Sequence, residues 1–425
     1  MNDITHLKLK YVVRLVVERA ETRPEGMPYV GLENIESRTG KLTGAQREGD
    51  GNEPDGVSTV NLFREGDVLF GKLRPYLAKG WQCTFDGACT TEALVLRPGF
   101  KINSAYLLKV LLSLEFIREV DATTFGSKMP RAEWEAIGNL EIPIPSLEKQ
   151  REISARLDTE TARLDALISE KQRLLNLLAE KRRAVIADFL TKGLNKDAPH
   201  RDSGIPWLGE ILAHWQVKRL KFLAEVRGGI TLGKDYGSQP LFEFPYLRVA
   251  NVQDGFLDLS SVTTVMVPLS ESENCALKDG DVLMNEGGDI DKLGRGCVWR
   301  MEIANCLHQN HVFCVRPFTV ESEWLDLWTS SDAAKSYFES RAKRATNLAS
   351  ISAANIKELP VPLPPESEQI SILQHVGFEI KKLNALTEAT ERTIALLQER
   401  RSALISAAVT GRLEVKNSAP MEASA

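Results

Sequence analysis

The chain has 425 residues, of which 43% are apolar and 26% charged; this is too long for one ordinary domain, and the balance excludes a disordered tract or a fibrous repeat. A formal net charge of −5 excludes a uniformly basic surface, so any nucleic-acid contact has to come from local patches. The longest mainly apolar run, residues 106–117, is interrupted by Lys109 and falls short of the ~20 residues of a membrane span; residues 1–10 lack the apolar stretch of a signal peptide, and a cytoplasmic location is expected.

Short apolar runs bounded by Gly, Asp or Pro, such as 67–70 and 93–96, predict strands in the first part of the chain. A helical stretch is predicted over 104–120. Pro143 and Pro145 then forbid helix and permit one to start just behind them. There Ile153, Leu157, Leu164, Leu167, Leu174, Leu178 and Val185 form the stripe of a long amphipathic helix, diluted by Glu160, Lys171 and Lys181. The same programme then runs again. Strand-like runs at 282–284 and 312–315 precede a helical stretch over 321–341, a junction with Pro362, Pro364 and Pro365, and a second stripe of Ile372, Val376, Leu383, Leu386, Leu397 and Leu404.

This is an internal repeat. Residues 142–195 align without gaps on 361–414, at a constant offset of 219 (361 against 142). IPIPSLEKQ at 142–150 faces VPLPPESEQ at 361–369, and LLAEKRRAVI at 177–186 faces LLQERRSALI at 396–405. Upstream the offset drifts: YVGLENI at 29–35 pairs with YLRVANV at 246–252, and GDVLF at 66–70 with GDVLM at 280–284. The expected fold class is α+β: two β-rich globules, related by an internal pseudo-twofold repeat and separated by two long helices paired as an antiparallel coiled coil. A helix of ~40 residues would be ~60 Å long, longer than a small domain is wide, so the other repeat's helix is its natural partner. The expected boundaries are a first globule at 1–145, a central long helix at 146–195, a second globule with its linker at 196–364, a C-terminal long helix at 365–415 and a tail at 416–425.

The six cysteines, Cys83, Cys89, Cys275, Cys297, Cys306 and Cys314, include no C-x-x-C pair, so reduced thiols and no metal are expected. His308 and His311 are expected to satisfy local hydrogen bonds. The basic runs Lys181-Arg182-Arg183 and Arg400-Arg401 read as a solvated coiled-coil flank.

Two variable globules, each closed by a Pro-x-Pro junction running into Glu/Gln and a long helix, resemble the target-recognition domains and conserved helices of type I restriction-modification specificity subunits. KDAPHRDSGIPWLGEILAHWQVKRLKFL at 196–223, FGKLRPYLAKG at 70–80, EGGDIDKLGRG at 286–296 and HQNHVFCVRP at 308–317 resemble stretches that recur in that family. The first half lacks the DSGIPWLGE-type lead, and its junction reads EKQ at 148–150 where the family usually has EQ. The resemblance implies a non-catalytic subunit that binds an asymmetric bipartite site on double-stranded DNA, one half-site per recognition domain, with the spacer set by the coiled coil. It also implies two modification subunits and restriction subunits as partners, which would use S-adenosylmethionine, ATP and Mg2+; no cofactor is expected in this chain and no membrane is involved. The partner subunits could dock on the basic runs.

Base readout needs paired donors and acceptors, and phosphate contacts need cations and small donors. The candidates are Lys72, Arg74, Tyr76, Ser127, Lys128 and Arg131 in the first globule, and Lys292, Arg295, Gln309, Asn310, Arg344 and Asn347 in the second. A self-contained methyltransferase or nuclease is a poor alternative: no Gly-rich cofactor loop or N-P-P-Y-like tetrapeptide is present, and Gly228-Gly229 and Gly287-Gly288 read as turns. A coiled-coil scaffold with two protein-binding globules is the other reading.

Overall fold

A computed structural model describes residues 4–44, 59–344 and 348–412. The chain forms two compact units, one of residues 1–173 with 390–425 and the other of residues 174–389. Both are α+β.

In the first unit, strands Val13–Val16, Ala93–Pro98, Val68–Gly71 and Gly80–Gln82 form an antiparallel sheet in that spatial order. A second sheet carries Arg19–Ala20, Val60–Phe63, Gly87–Cys89 and Tyr29–Val30, the last pair parallel. The second unit repeats the plan, with Ala224–Arg227, Val312–Pro317, Val282–Asn285 and Gly296–Val298 in one sheet. Thr263–Val267, Phe242–Leu247 and Leu307–His308 form its companion, the last pair again parallel. In both units the proline junction is a strand: Glu141–Ile144 pairs with Thr5–Lys8, and Pro360–Leu363 with Gln216–Arg219. Proline tolerates this place because each ladder has two strands, so the missing N–H can face away from the partner.

The repeat extends to individual hydrogen bonds. Arg97 grips Asp67 with Nε and Nη2, both at 2.8 Å, and Arg316 grips Asp281 in the same way at 2.7 Å. Both aspartates are buried, where a bidentate, charge-assisted pair is needed to offset desolvation. Ser104 Oγ donates to the Gly66 carbonyl at 2.8 Å, and Ser322 Oγ to that of Gly280 at 2.7 Å. The junction glutamine has a defined structural task. Buried Gln150 donates to the carbonyls of Pro145 and Lys101, both at 2.9 Å, and accepts from the Asn103 N–H at 2.8 Å. Gln369 donates to Pro364 at 2.9 Å and accepts from the Glu321 N–H at 3.2 Å. This glutamine ties the start of each long helix to its own unit, and the EKQ spelling at 148–150 preserves it.

The helical stretches expected over 104–120 and 321–341 are each broken in two. Ser104–Leu111 is followed by Leu114–Ala122, and Ser322–Thr329 by Asp332–Arg341. Ser113 and Ser331 stop the first helix of each pair and cap the second, accepting from the N–H groups of Phe116 and Ala334.

The long helices span Leu147–Lys192 and Glu366–Val409. In the first unit Ile153 and Leu157 share a core with Ile405, Ala408 and Val409, as well as with Tyr106 and Leu111 of the globule. In the second, Leu190 joins Ile372 and Val376 in a core with Trp215, Trp324 and Trp328. Each unit thus packs the beginning of one long helix beside the end of the other. The expected stripe is corrected at two equivalent places: Leu167 and Leu386 are 51% and 47% exposed. The solvated-flank reading is corrected at Arg401. This residue is buried, its Nε donates to Asp165 at 2.8 Å, and its Nη1 and Nη2 donate to the carbonyls of Arg38 and Thr39 at 2.7 and 3.2 Å. Burial opposes ionisation of Asp165, but its bonds to Lys41 and Arg401 prevail and hold the carboxyl below its ordinary range. Lys181, Arg182 and Arg183 are exposed.

Candidate nucleic-acid interface

In each unit the loops in question leave the same strand. The first set follows Val68–Gly71, and the second follows Val282–Asn285. The Lys72 N–H donates to the Glu92 carbonyl at 2.9 Å, and the Lys72 carbonyl accepts from the Ala132 N–H at 3.0 Å. In the second unit the Glu286 N–H donates to the His311 carbonyl at 2.9 Å, and its carbonyl accepts from the Ile351 N–H at 2.8 Å. Three segments therefore converge in each unit: 71–79, 90–92 and 125–132 in the first, and 285–296, 309–311 and 343–344 with 348–351 in the second.

The first set is brought together as a group. Arg74 and Ala78 adopt left-handed backbone at φ 51° and 48°, a strained conformation for residues with a Cβ. The strain is held by the neighbouring loop, since the Arg74 N–H donates to the Pro130 carbonyl at 2.7 Å. Leu73 and Phe125 both bridge to Arg131 through the backbone. Arg74, Tyr76, Ser127 and Lys128 are exposed, and Lys72 is half-buried. Arg131 is committed differently: its Nε and Nη2 donate to the two oxygens of Glu92 at 3.1 and 2.9 Å. Among the described residues no ion pair engages the cations of Lys72, Arg74 or Lys128.

In the second set, Gly287–Gly288 pairs with Ala349–Ser350, which pairs in turn with Lys343–Arg344. Glycine is required at 287 because a Cβ there would lie 2.7 Å from the Ala349 carbonyl oxygen; this glycine pair forms a strand where a turn was expected. Lys292 pairs with Asp289 and holds that carboxyl below its ordinary range. Arg295 Nη1 donates to Gln253 Oε1 at 3.0 Å. Gln309 and Asn310 are anchored by backbone, their N–H groups donating to the Leu247 and Ile230 carbonyls at 2.8 and 3.0 Å. Arg344 is exposed, and Asn347 lies outside the described residues. His308 is buried with Nδ1 2.7 Å from the Val312 carbonyl oxygen, and burial pushes its pKa down. His311 Nδ1 lies 2.5 Å from Glu286 Oε2.

Sequence reasoning passed over Glu92, Glu286 and Gln253, which hold Arg131, His311 and Arg295. An acid that fixes a cation resembles any solvated acid in the sequence until the fold brings the two together. All six cysteines are unpaired and five are buried; burial pushes the Cys89, Cys297 and Cys306 thiols up to about 12. Among the described residues no group of His, Cys, Asp or Glu is arranged to hold a metal ion, and no helix is long and apolar enough to cross a membrane.

A duplicated α+β frame with unlike loops at one place in each copy defines a class of two-headed recognition proteins. The model of the type I restriction modification DNA specificity domain matches residues 81–177 and 213–395, one stretch in each repeat, and the chain belongs to that family. The type I restriction enzyme EcoKI specificity subunit of Escherichia coli strain K12 is 23% identical over 340 residues, which cover 78% of this chain and 70% of that subunit. Among solved structures, a chain of a type I R-M system matches with a TM-score of 0.66 at 21% identity, covering 96% of this chain and 98% of its own. The HsdS subunit from Thermoanaerobacter tengcongensis matches with a TM-score of 0.50 at 19% identity, covering 96% and 97%. These likenesses extend the shared fold over nearly the whole chain.

Proposed function

We propose that the chain reads an asymmetric double-stranded DNA site in two blocks, one per unit, and directs methylation and restriction performed by partner subunits. The observation that carries this reading is the duplicated frame with divergent loops. The Asp–Arg, Ser–Gly and junction-glutamine bonds recur, while the loops they support carry Lys72, Arg74 and Lys128 in one copy and Lys292, Gln309 and Arg344 in the other. Two unlike readers on one frame suit two unlike half-sites. In this reading the exposed Arg74, Lys128 and Arg344 meet phosphates or guanine edges, and Tyr76, Ser127, Gln309 and Asn310 supply neutral donors and acceptors.

The first long helix runs unbroken, with residues 147–173 in one unit and 174–192 in the other. In this reading the long helices set the spacer: four residues added to each, ~6 Å of rise, would change the unread gap by about two base pairs of ~3.4 Å. The chemistry belongs to the partners. Two modification subunits would use S-adenosylmethionine, and restriction subunits ATP and Mg2+.

Mapping methylated adenines in genomic DNA, with and without this chain beside its modification partner, tests the reading. Two short, unlike blocks with a fixed gap are expected. Methylation that persists unchanged without the chain, or that follows one uninterrupted block, overturns it.

A further inference from the structure

We infer that Phe125 and Met129 of the first unit make apolar contacts with base surfaces of its half-site, and that Leu348 is their counterpart in the second unit; the inference rests on the two-block reading above. Phe125, Met129 and Leu348 are 57%, 51% and 61% exposed. Burying such a side chain stabilises a fold, and this fold forgoes that at three loop positions beside the candidate readers.

Backbone bonds fix the first of these loops. The Phe125 N–H donates to the Arg131 carbonyl and the Arg131 N–H to the Phe125 carbonyl, both at 3.0 Å, while Arg74 holds Pro130. Gly126, at φ +89°, makes the tight turn that projects residues 127–129.

The position is repeated. Arg131 and Ser350 are equivalent, because the next residue in each unit, Ala132 or Ile351, donates its N–H to the carbonyl of Lys72 or Glu286. Met129 precedes Arg131 by the same step that Leu348 precedes Ser350. An apolar residue kept for packing would be buried there; in both units it faces solvent and its shape differs, as readers of unlike half-sites must. The surroundings fit. Lys72, Arg74 and Lys128 flank the first tip and Lys343 and Arg344 the second, so phosphate contacts would bring an apolar tip down to the bases. The partners available there are the thymine methyl group and the exposed face of a base step.

The test uses the full chain in complex with its modification subunits and a randomised double-stranded DNA library. Phe125→Ala and Met129→Ala are expected to relax selection at one or two positions of one block by about tenfold, and Leu348→Ala at positions of the other block. Relaxation at a T·A pair identifies the methyl group, and relaxation at a two-base step identifies stacking; either supports the inference. Met129→Leu, which keeps an apolar tip, should retain selection within that block. Unaltered preferences in all three alanine variants overturn the inference, as does an equal loss on every sequence. If the wild-type complex itself selects no pair of blocks, the two-block reading fails first.

Discussion

The two units agree in their frame and differ at their loops, and the difference lies in how charge is spent. The first unit ties one arginine, Arg131, to Glu92 and leaves Lys72, Arg74 and Lys128 without an ion pair among the described residues. The second ties Lys292 to Asp289 and His311 to Glu286, so acids stand among its loops where the first unit has Lys72. The Asp67–Arg97 and Asp281–Arg316 pairs that hold the two frames recur, whereas residues at the loop surface are replaced independently. A charge buried in the frame cannot change without its partner, because the unpaired group would keep its desolvation cost; a loop charge exposed to water carries no such constraint.

The largest expected effect follows from that asymmetry. Asp67→Ala and Asp281→Ala each take the bidentate partner from a frame arginine and the acceptor from the Arg64 or Lys278 N–H, and should cost about 3–5 kcal/mol, read by hydrogen exchange confined to the unit that carries the change. A large loss in one unit with none in the other would break the equivalence of the frames.

One half-buried acid of the second unit has no twin. Asp326 lies on Ser322–Thr329, where the corresponding residue of the first unit is the buried Leu108. Burial, with Asp254 nearby, pushes the Asp326 pKa up to about 7, against the pull of Arg300. A folded pKa above the ordinary carboxyl value means that the stability contribution is complete below about pH 4 and is lost as pH rises through 7. The second unit should therefore be weaker at pH 8 than at pH 5 by about 2–4 kcal/mol. Asp326→Asn should flatten its melting temperature across that range and leave the first unit unaffected; an unchanged pH profile would mean that the residue stays charged.

The junction glutamines come next. Gln150→Ala and Gln369→Ala should each cost about 1–3 kcal/mol, as earlier exchange of the amides at the start of the adjoining long helix. The smallest effect concerns the exposed cations. Lys128→Ala should weaken DNA binding on all sequences alike and lower the salt dependence of log K by about one. Loss of preference at a single base instead would make Lys128 a reader of bases.

Much of this organisation was legible in the sequence because it is written twice. The matched strings at 142–150 and 361–369 marked the junction and the start of each long helix, and the drifting offset marked the loops. The breaks at Ser113 and Ser331 were hidden because serine is compatible with both helix and cap, and the apolar run continues on either side. Leu167 and Leu386 satisfy a helical stripe, yet periodicity alone does not say how far a partner extends along it. The burial of Arg401 depends on Asp165 and on the carbonyls of Arg38 and Thr39, more than two hundred residues away in the chain, and no local pattern carries that information. The candidate readers were legible only as residue types at equivalent places; their grouping came from backbone bonds between segments distant in sequence.

The first unit is assembled from two stretches separated by the whole of the second, its core combining Tyr106, Ile153 and Leu157 with Ile405, Ala408 and Val409, whereas the second is one continuous stretch. On the ribosome, at about 5–20 residues per second, the unit that begins later can finish first. Its last residue lies in the middle of the second long helix and emerges while the opening unit still lacks the later turns of that helix, which complete its core. A message cut short within those last turns would yield a finished second head beside an incomplete first one whose apolar face stays open, a natural substrate for chaperones and proteases.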